Sequence, residues 1–291
     1  MKLSRLYELA VKFGKERDPR KKEEFGSFED TAVLFGSPDT DVRKIMVGID
    51  IDVGELLLAD KIRGSEGLDL VLAHHPQGAA AAHFYEVMRL QVDMLVKAGI
   101  EESTAREMIE ERRLEVERRV MPQNHMRSTD AATILGLPFM CVHTPADNHV
   151  AYFLRKLFDR EKPGKVQDIL DLLDKIPEYE DARRNNSGPR VILGNPRRSA
   201  GRIFLEMTGG TEGNKDIYPN MYKAGVRTLV SMHLSEEHFK RVKDADLNVV
   251  IAGHVSSDTL GLNLLLDRIE EEEKLLTIDC SGFRRIRRNK R

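Results

Sequence analysis

Residues 69–78 read DLVLAHHPQG, an apolar run closed by His74 and His75 and then by Pro76 and Gly78. The run Leu70–Ala73 does not alternate and is too short for a typical helix, the pattern of a strand covered on both faces in a parallel sheet. Neighbouring side chains on a strand point to opposite faces, so adjacent imidazoles serve one site only where the strand has ended and the backbone turns. Pro76 and Gly78 supply such a turn. Open parallel sheets bind ligands beyond the carboxyl ends of their strands. The pair is therefore a candidate site. The plainer alternative, one structural and one solvated imidazole, stays open from these two residues alone.

On either side of this run, KIMVGIDI (44–51) reads as a strand, GELLLADKIRG (54–64) as a short helix and LDLVLAHH (68–75) as the next strand, a compact βαβ unit. Residues 79–120 change to a helical pattern, AAAAHFYEVMRLQVDMLVKAGI followed by STAREMIEERRLEVERRV, with a cap expected at Ser103 or Thr104. The dense Glu and Arg of the second segment suit a solvated or subunit-packing helix, so this insertion is expected to cap the site or meet another subunit. LPFMCVHT (137–144) is a further strand. Residues 159–189 mix an amphipathic helix with Pro, Asn, Ser and Gly, the composition of a connector. Beyond it, GRIFLEMT, VRTLVSMH and LNVVIAGH alternate with helical stretches, the last helix expected from about Ser257. The fold class expected is α/β: an N-terminal lobe over 1–158 carrying the insertion, a connector at 159–189, and a C-terminal lobe over 190–291.

The chain has 291 residues, enough for a sizeable core, and a net charge of −2. That balance offers no electrostatic argument for nucleic acid or a membrane. Cys141 and Cys280 are the two cysteines, each in an apolar run, which points to reduced thiols rather than a disulfide framework and excludes a cysteine-based zinc finger. The N-terminal stretch has a charged, helical stripe and no signal-peptide core, and no segment reaches the ~18 apolar residues of a span. A cytoplasmic protein is expected.

Four apolar strands end in histidine: at His74 and His75, at His143, at His233 and at His254. A single strand-end histidine is usually a satisfied structural residue. Four such ends in α/β layers are harder to explain that way. Two of them carry an aspartate four residues later, His143 with Asp147 and His254 with Asp258. Mixed imidazole and carboxylate donors suit zinc, iron, manganese or a similar divalent ion. Asp258 also reads as an N-terminal helix charge. The loop GGTEGN (209–214) reads either as an amide cradle for an anion or as a tight turn. The basic tail RRIRRNKR (284–291) reads as a solvated end.

The segments EDTAVLFGSPDTDVRKIMVGIDI, LDLVLAHHP, VHTPAD, GGTEGN, MHLSEEHF and IAGHVSSDTLG, in that order, resemble the Nif-three-like dinuclear metal-centre family, the type-two GTP cyclohydrolase homologues. The resemblance implies two α/β lobes with a metal cleft between them, two divalent ions per chain and a homo-oligomer, often a hexamer. It implies His74 and His75 as ligands of one ion each, Asp147 and His254 completing the two sides, and Asp258 as the bridge. His143 and His238 match further family histidines. The family's bridging residue is usually glutamate, and its segment between HHP and HT is usually shorter.

Two functions follow as expectations. One is a metal-dependent hydrolase of a phosphate- or nucleotide-type small molecule, with His143 or His238 moving protons. The other is a non-enzymatic metal-binding regulator or metallochaperone acting through its oligomer surface, which the Glu/Arg-rich insertion favours. The substrate is unspecified by either.

Overall fold

The computed structural model describes residues 1–20 and 26–288. In chain order the helices are α1 (Leu3–Arg17), α2 (Val53–Glu66), α3 (Gly78–Ala82), α4 (Leu90–Lys97), α5 (Glu102–Val120), α6 (Arg127–Leu135), α7 (Thr144–Glu161), α8 (Val166–Leu173), α9 (Pro177–Arg184), α10 (Tyr218–Lys223), α11 (Glu236–Asp244) and α12 (His254–Ile269). The strands are β1 (Ala32–Phe35), β2 (Lys44–Gly48), β3 (Leu70–Ala73), β4 (Phe139–Cys141), β5 (Arg190–Leu193), β6 (Arg202–Glu206), β7 (Val226–Ser231), β8 (Asn248–Ile251) and β9 (Leu276–Asp279). The α/β class is as expected.

The chain forms two compact units, and neither is a continuous segment. The first comprises residues 1–87, 116–149 and 258–291; the second comprises 88–115 and 150–257. The contiguous division expected at 159–189 is therefore not the one the contacts follow. The C-terminal residues return to the first unit because β9 pairs with β2. The segment expected as a connector contains α8, which packs on β5 and β8 of the second unit. The expected insertion is itself divided, residues 88–115 belonging to the second unit.

The first unit is built on a five-stranded sheet of order β1-β4-β3-β2-β9. The pairs β4-β3, β3-β2 and β2-β9 are parallel, and β1 runs antiparallel along β4. Every residue of β3 and of β4 is buried, because both faces are covered. On one face Ile45, Val47, Leu70, Leu72 and Met140 pack with the α1 stripe Leu3, Leu6, Leu9 and Phe13 and with Leu262 and Leu266 of α12. On the other, Met46, Val71, Phe139 and Cys141 pack with Leu56 and Ala59 of α2 and Ala132 of α6. Fully burying each such aliphatic side chain contributes about 1.5–3 kcal/mol. This is why the strands read as unbroken apolar runs.

The second unit holds a four-stranded sheet of order β5-β8-β7-β6, parallel except for β5. Here residues 88–115 tie down the GGTEGN loop. Gln91 Nε2 donates to the carbonyls of Gly209 (2.7 Å) and Thr211 (2.6 Å), and Arg112 Nε donates to Glu212 O (3.1 Å). A β-carbon on Gly209, whose φ is +104°, would fall 2.6 Å from Gln91 Cγ. The loop is thus a clamped tight turn followed by a three-residue 3-10 turn. A carboxyl oxygen of Glu206 faces the Gly213 amide at 3.5 Å.

The tail also differs from expectation. Arg285 donates to Asp267 of α12 at 2.6 Å and lies 3.3 Å from Glu270, with only 3% of its side chain exposed. Asn263 Nδ2 donates to Arg284 O at 2.9 Å. Residues 284–288 are therefore fastened to α12 by buried ion pairs; the remaining residues of the tail, 289–291, lie outside those described. Both cysteines are free thiols, Cys141 buried and Cys280 half-buried. Among the described residues no helix is long and apolar enough to cross a membrane.

Candidate metal centre

His74 and His75 stand just past β3, where their backbone amides still bond to the carbonyls of Gly48 (2.9 Å), the last residue of β2, and of Ile49 (3.0 Å) after it. His143 stands just past the neighbouring β4, and its carbonyl accepts the amides of Ala146 and Asp147 to start α7. The chain order of a parallel sheet thus delivers three imidazoles to one carboxyl edge. Their rings are close neighbours: His74 to His143 at 4.8 Å between centroids, His74 to His75 at 5.3 Å, and His75 to His143 at 5.9 Å.

Each ring is held by its Nδ1. His74 Nδ1 donates to Val142 O (3.1 Å), His75 Nδ1 to Asp50 Oδ1 (2.6 Å), and His143 Nδ1 to Asp30 Oδ2 (2.7 Å). Acceptor-only partners force the proton onto Nδ1 and leave Nε2 as the lone-pair nitrogen in the neutral ring. Asp30 is fully buried and also accepts from the Thr144 hydroxyl at 2.6 Å and the Thr144 amide at 3.3 Å. Burial works against its charge, but the bonds from His143 and Thr144 hold its carboxyl below the usual range.

Two aspartates lie between the three Nε2 atoms. Asp147 Oδ1 is 3.4 Å from His74 Nε2 and its Oδ2 is 3.7 Å from His143 Nε2. Asp258 Oδ1 is 3.5 Å from His74 Nε2 and its Oδ2 is 3.5 Å from His75 Nε2. Close packing of α12 on α7 permits this: a β-carbon on Gly261 would fall 2.5 Å from the carbonyl oxygen of Ala146, so only glycine allows the approach. Asp258 is not in the first turn, because α12 starts at His254 rather than near Ser257. Its reading as an N-terminal helix charge loses its basis.

The donor set fits a divalent ion. His74 Nε2 and Asp147 Oδ1 are buried and make no hydrogen bond, a condition that costs about 1–3 kcal/mol per group unless something else satisfies them. His74, Asp147 and Asp258 offer ligand atoms all within 4.8 Å of one another, as do His74, His75 and His143. Burial disfavours charge on His74, yet Asp258 and Asp147 raise its pKa to about 10. The same opposition lifts His75 to about 9, with Asp258 and Asp50 responsible. A proton on each ring is the substitute these carboxylates find for a cation.

Of the other residues singled out from the sequence, His254 opens α12 one turn before Asp258, on the same helix face. Its ring meets His233 at 4.9 Å. His238 belongs to a cluster of the second unit: Nε2 donates to Gly213 O (3.0 Å), and Nδ1 lies 2.8 Å from Ser235 Oγ and 3.3 Å from Glu212 Oε2. Asp30 and Asp50 were missed. Asp50 follows β2 as the histidines follow β3, a signal available in GIDID. Asp30 was hidden, because only the antiparallel course of β1 brings its start beside the end of β4.

A two-sheet α/β protein with a buried histidine and aspartate cluster at a sheet edge is the class defined so far. No protein-family model and no curated protein matches the sequence. Among solved structures, the chain is similar to a NIF3 superfamily protein from Sphaerobacter thermophilus, with a TM-score of 0.82, 27% identity and 97% and 99% of the two chains covered. It shares its fold with reduced HcgD from Methanocaldococcus jannaschii (TM-score 0.56, 14% identity, 96% and 97% covered). The same holds for protein SA1388 of Staphylococcus aureus (0.52, 13%, 97% and 96%). The chain has the fold of the NIF3 superfamily protein over nearly its whole length.

Proposed function

We propose that this protein binds a pair of divalent ions and hydrolyses a small phosphate- or nucleotide-type ester. The observation that carries the reading is the position of Asp258, whose two oxygens each face the Nε2 of a different histidine at 3.5 Å. A carboxylate so placed would bridge two ions, one taken by His74 and Asp147, the other by His75, with His254 joining from the first residue of α12. Ions bound there would supply Lewis-acid activation of water and of the ester oxygen.

The protein's own residues do the rest. Val142 O and Asp50 hold the imidazoles of His74 and His75 in one tautomer. Burial of His74, Asp147 and Asp258 excludes water from the ligand atoms. We give His238 no proton-transfer role, because both its ring nitrogens are engaged by Gly213, Ser235 and Glu212.

Elemental analysis of protein purified without chelator tests the site, and turnover tests the activity. Wild type loaded with zinc, manganese or iron is expected to hydrolyse generic phosphoesters or nucleotides, and the His74→Ala, His75→Ala double variant is not. Turnover equal in both, or a wild type that takes up no divalent ion, overturns the reading.

A further inference from the structure

The metal reading above leaves His143 outside the ligand set, and the geometry does not. We infer that His143 is a third imidazole ligand at this sheet edge, and that Asp30 is the positioning residue that aims it. The inference rests on the proposed metal site and extends it.

Three imidazoles share one pattern of support. Metal-bound imidazoles almost always donate their other N–H to a carboxylate or a backbone carbonyl, which fixes tautomer and ring plane. His74 and His75 satisfy this through Val142 O and Asp50, and His143 satisfies it through Asp30 at 2.7 Å. In the neutral ring, the form that binds a metal, all three therefore present Nε2 as the donor.

The donors also alternate. Asp147 lies between His143 and His74 just as Asp258 lies between His74 and His75, at 3.7 and 3.4 Å in the one case and 3.5 and 3.5 Å in the other. Two donors about 2.0–2.1 Å from one ion in a roughly tetrahedral site stand about 3.4 Å apart. His143 Nε2 reaches that separation from Asp147 with a movement of a few tenths of an ångström.

The surroundings of His143 suit a ligand better than a proton carrier. Only 6% of the residue is exposed. Its backbone amide is held by Thr31 Oγ1 (3.2 Å), and Asp30 is in turn held by Thr144, so neither member of the pair has room to swing. A proton carrier exchanges with solvent or substrate, whereas a ligand needs a fixed lone pair.

Cobalt(II) loaded into the full-length apo-protein tests this through its visible spectrum, which reports the number and kind of donors. His143→Gln keeps a donor toward Asp30 but removes Nε2. It is expected to weaken cobalt binding by at least about tenfold and to change the band shape. With His143→Ala, added imidazole is expected to restore the wild-type band, which a merely structural role would not allow. Asp30→Asn is expected to weaken binding by about 10–100-fold with an unchanged far-UV circular dichroism spectrum. X-ray absorption on wild type needs no variant and is expected to show one imidazole per chain more than His74, His75 and His254 provide.

If both His143 variants keep the wild-type affinity and spectrum while His74→Ala loses them, His143 is no ligand and the metal reading stands. If wild type binds no cobalt, the metal reading falls and this inference falls with it.

Discussion

At the scale of single residues, Asp258 is where this chain departs from the family pattern, and the departure is accommodated rather than corrected. Its shorter side chain already places one oxygen before each of two histidines. The residue is 1% exposed. Restoring the family's glutamate inserts a methylene into a packed position, at a cost of about 1–3 kcal/mol. Asp258→Glu is therefore expected to lower the thermal midpoint without raising metal content, while Asp258→Ala lowers metal content and leaves the fold intact. Elemental analysis beside a melting curve separates the two. Glu206 poses a different question. Enclosure by protein, and then the charge of Glu212, raise its pKa above the ordinary carboxyl value. In the unfolded chain it ionises above about pH 4.3, while the folded chain holds the proton to a higher pH, so the unfolded state gains as pH rises between the two. Glu206→Gln preserves an acceptor for Ser231 Oγ, now 3.2 Å away, and removes the ionisation. The variant's midpoint is expected to exceed wild type by more at about pH 8 than at about pH 5. A difference that shrinks with pH would show that Glu206 is ionised in the folded protein.

At the scale of elements, the site depends on how closely α12 approaches α7. Gly261 lies one turn beyond Asp258, and Ala146 precedes Asp147, so the backbone contact between them sets the spacing of the two carboxylates. A methyl group placed 2.5 Å from Ala146 O must push the helices apart. Metal–ligand distances tolerate only about 0.2 Å, so a shift of this size reaches the site. Gly261→Ala is expected to destabilise by about 1–3 kcal/mol and to weaken metal uptake together. Isothermal titration of the variant at a temperature where it is folded checks this; wild-type affinity in a destabilised protein would show that helix spacing does not govern the ligands. The helices of residues 88–115 have a role that their charge density did not suggest. Gln91 and Arg112 spend their polar groups on loop carbonyls inside the same unit.

At the scale of the whole molecule, the chain passes between its two units four times, once in the 3-10 turn over Phe84–Arg89 and then within α5, α7 and α12, rather than through an unstructured linker. Two of these helices carry the aspartates of the site. An ion bound to these elements would couple metal binding to folding, and at about 100 times its dissociation constant it would add about 2.7 kcal/mol to stability. A rise of about 5–10 °C in melting temperature is expected on saturation with a divalent ion. Excess chelator is expected to reverse it, and the His74→Ala, His75→Ala variant to lack it. An equal rise in that variant would place the bound ion elsewhere.

The local elements, and the resemblance to a known family, were legible in the sequence. Non-alternating runs such as LVLA can be satisfied only by burial on both faces, and the turn residues after them mark where the strands stop, so the histidines at those ends were legible one by one. Their convergence was not. It depends on β3 and β4 being neighbours, on β9 returning residues 258–291 to the first sheet, and on β1 running backwards so that Asp30 meets His143. Each is a pairing between segments far apart in the chain, chosen by how apolar faces are covered together, and no local spacing records it. The same reason explains the split insertion and the fastened tail: Gln91 and Arg285 look like surface residues until the loop carbonyls and the α12 carboxylates that bind them are brought alongside.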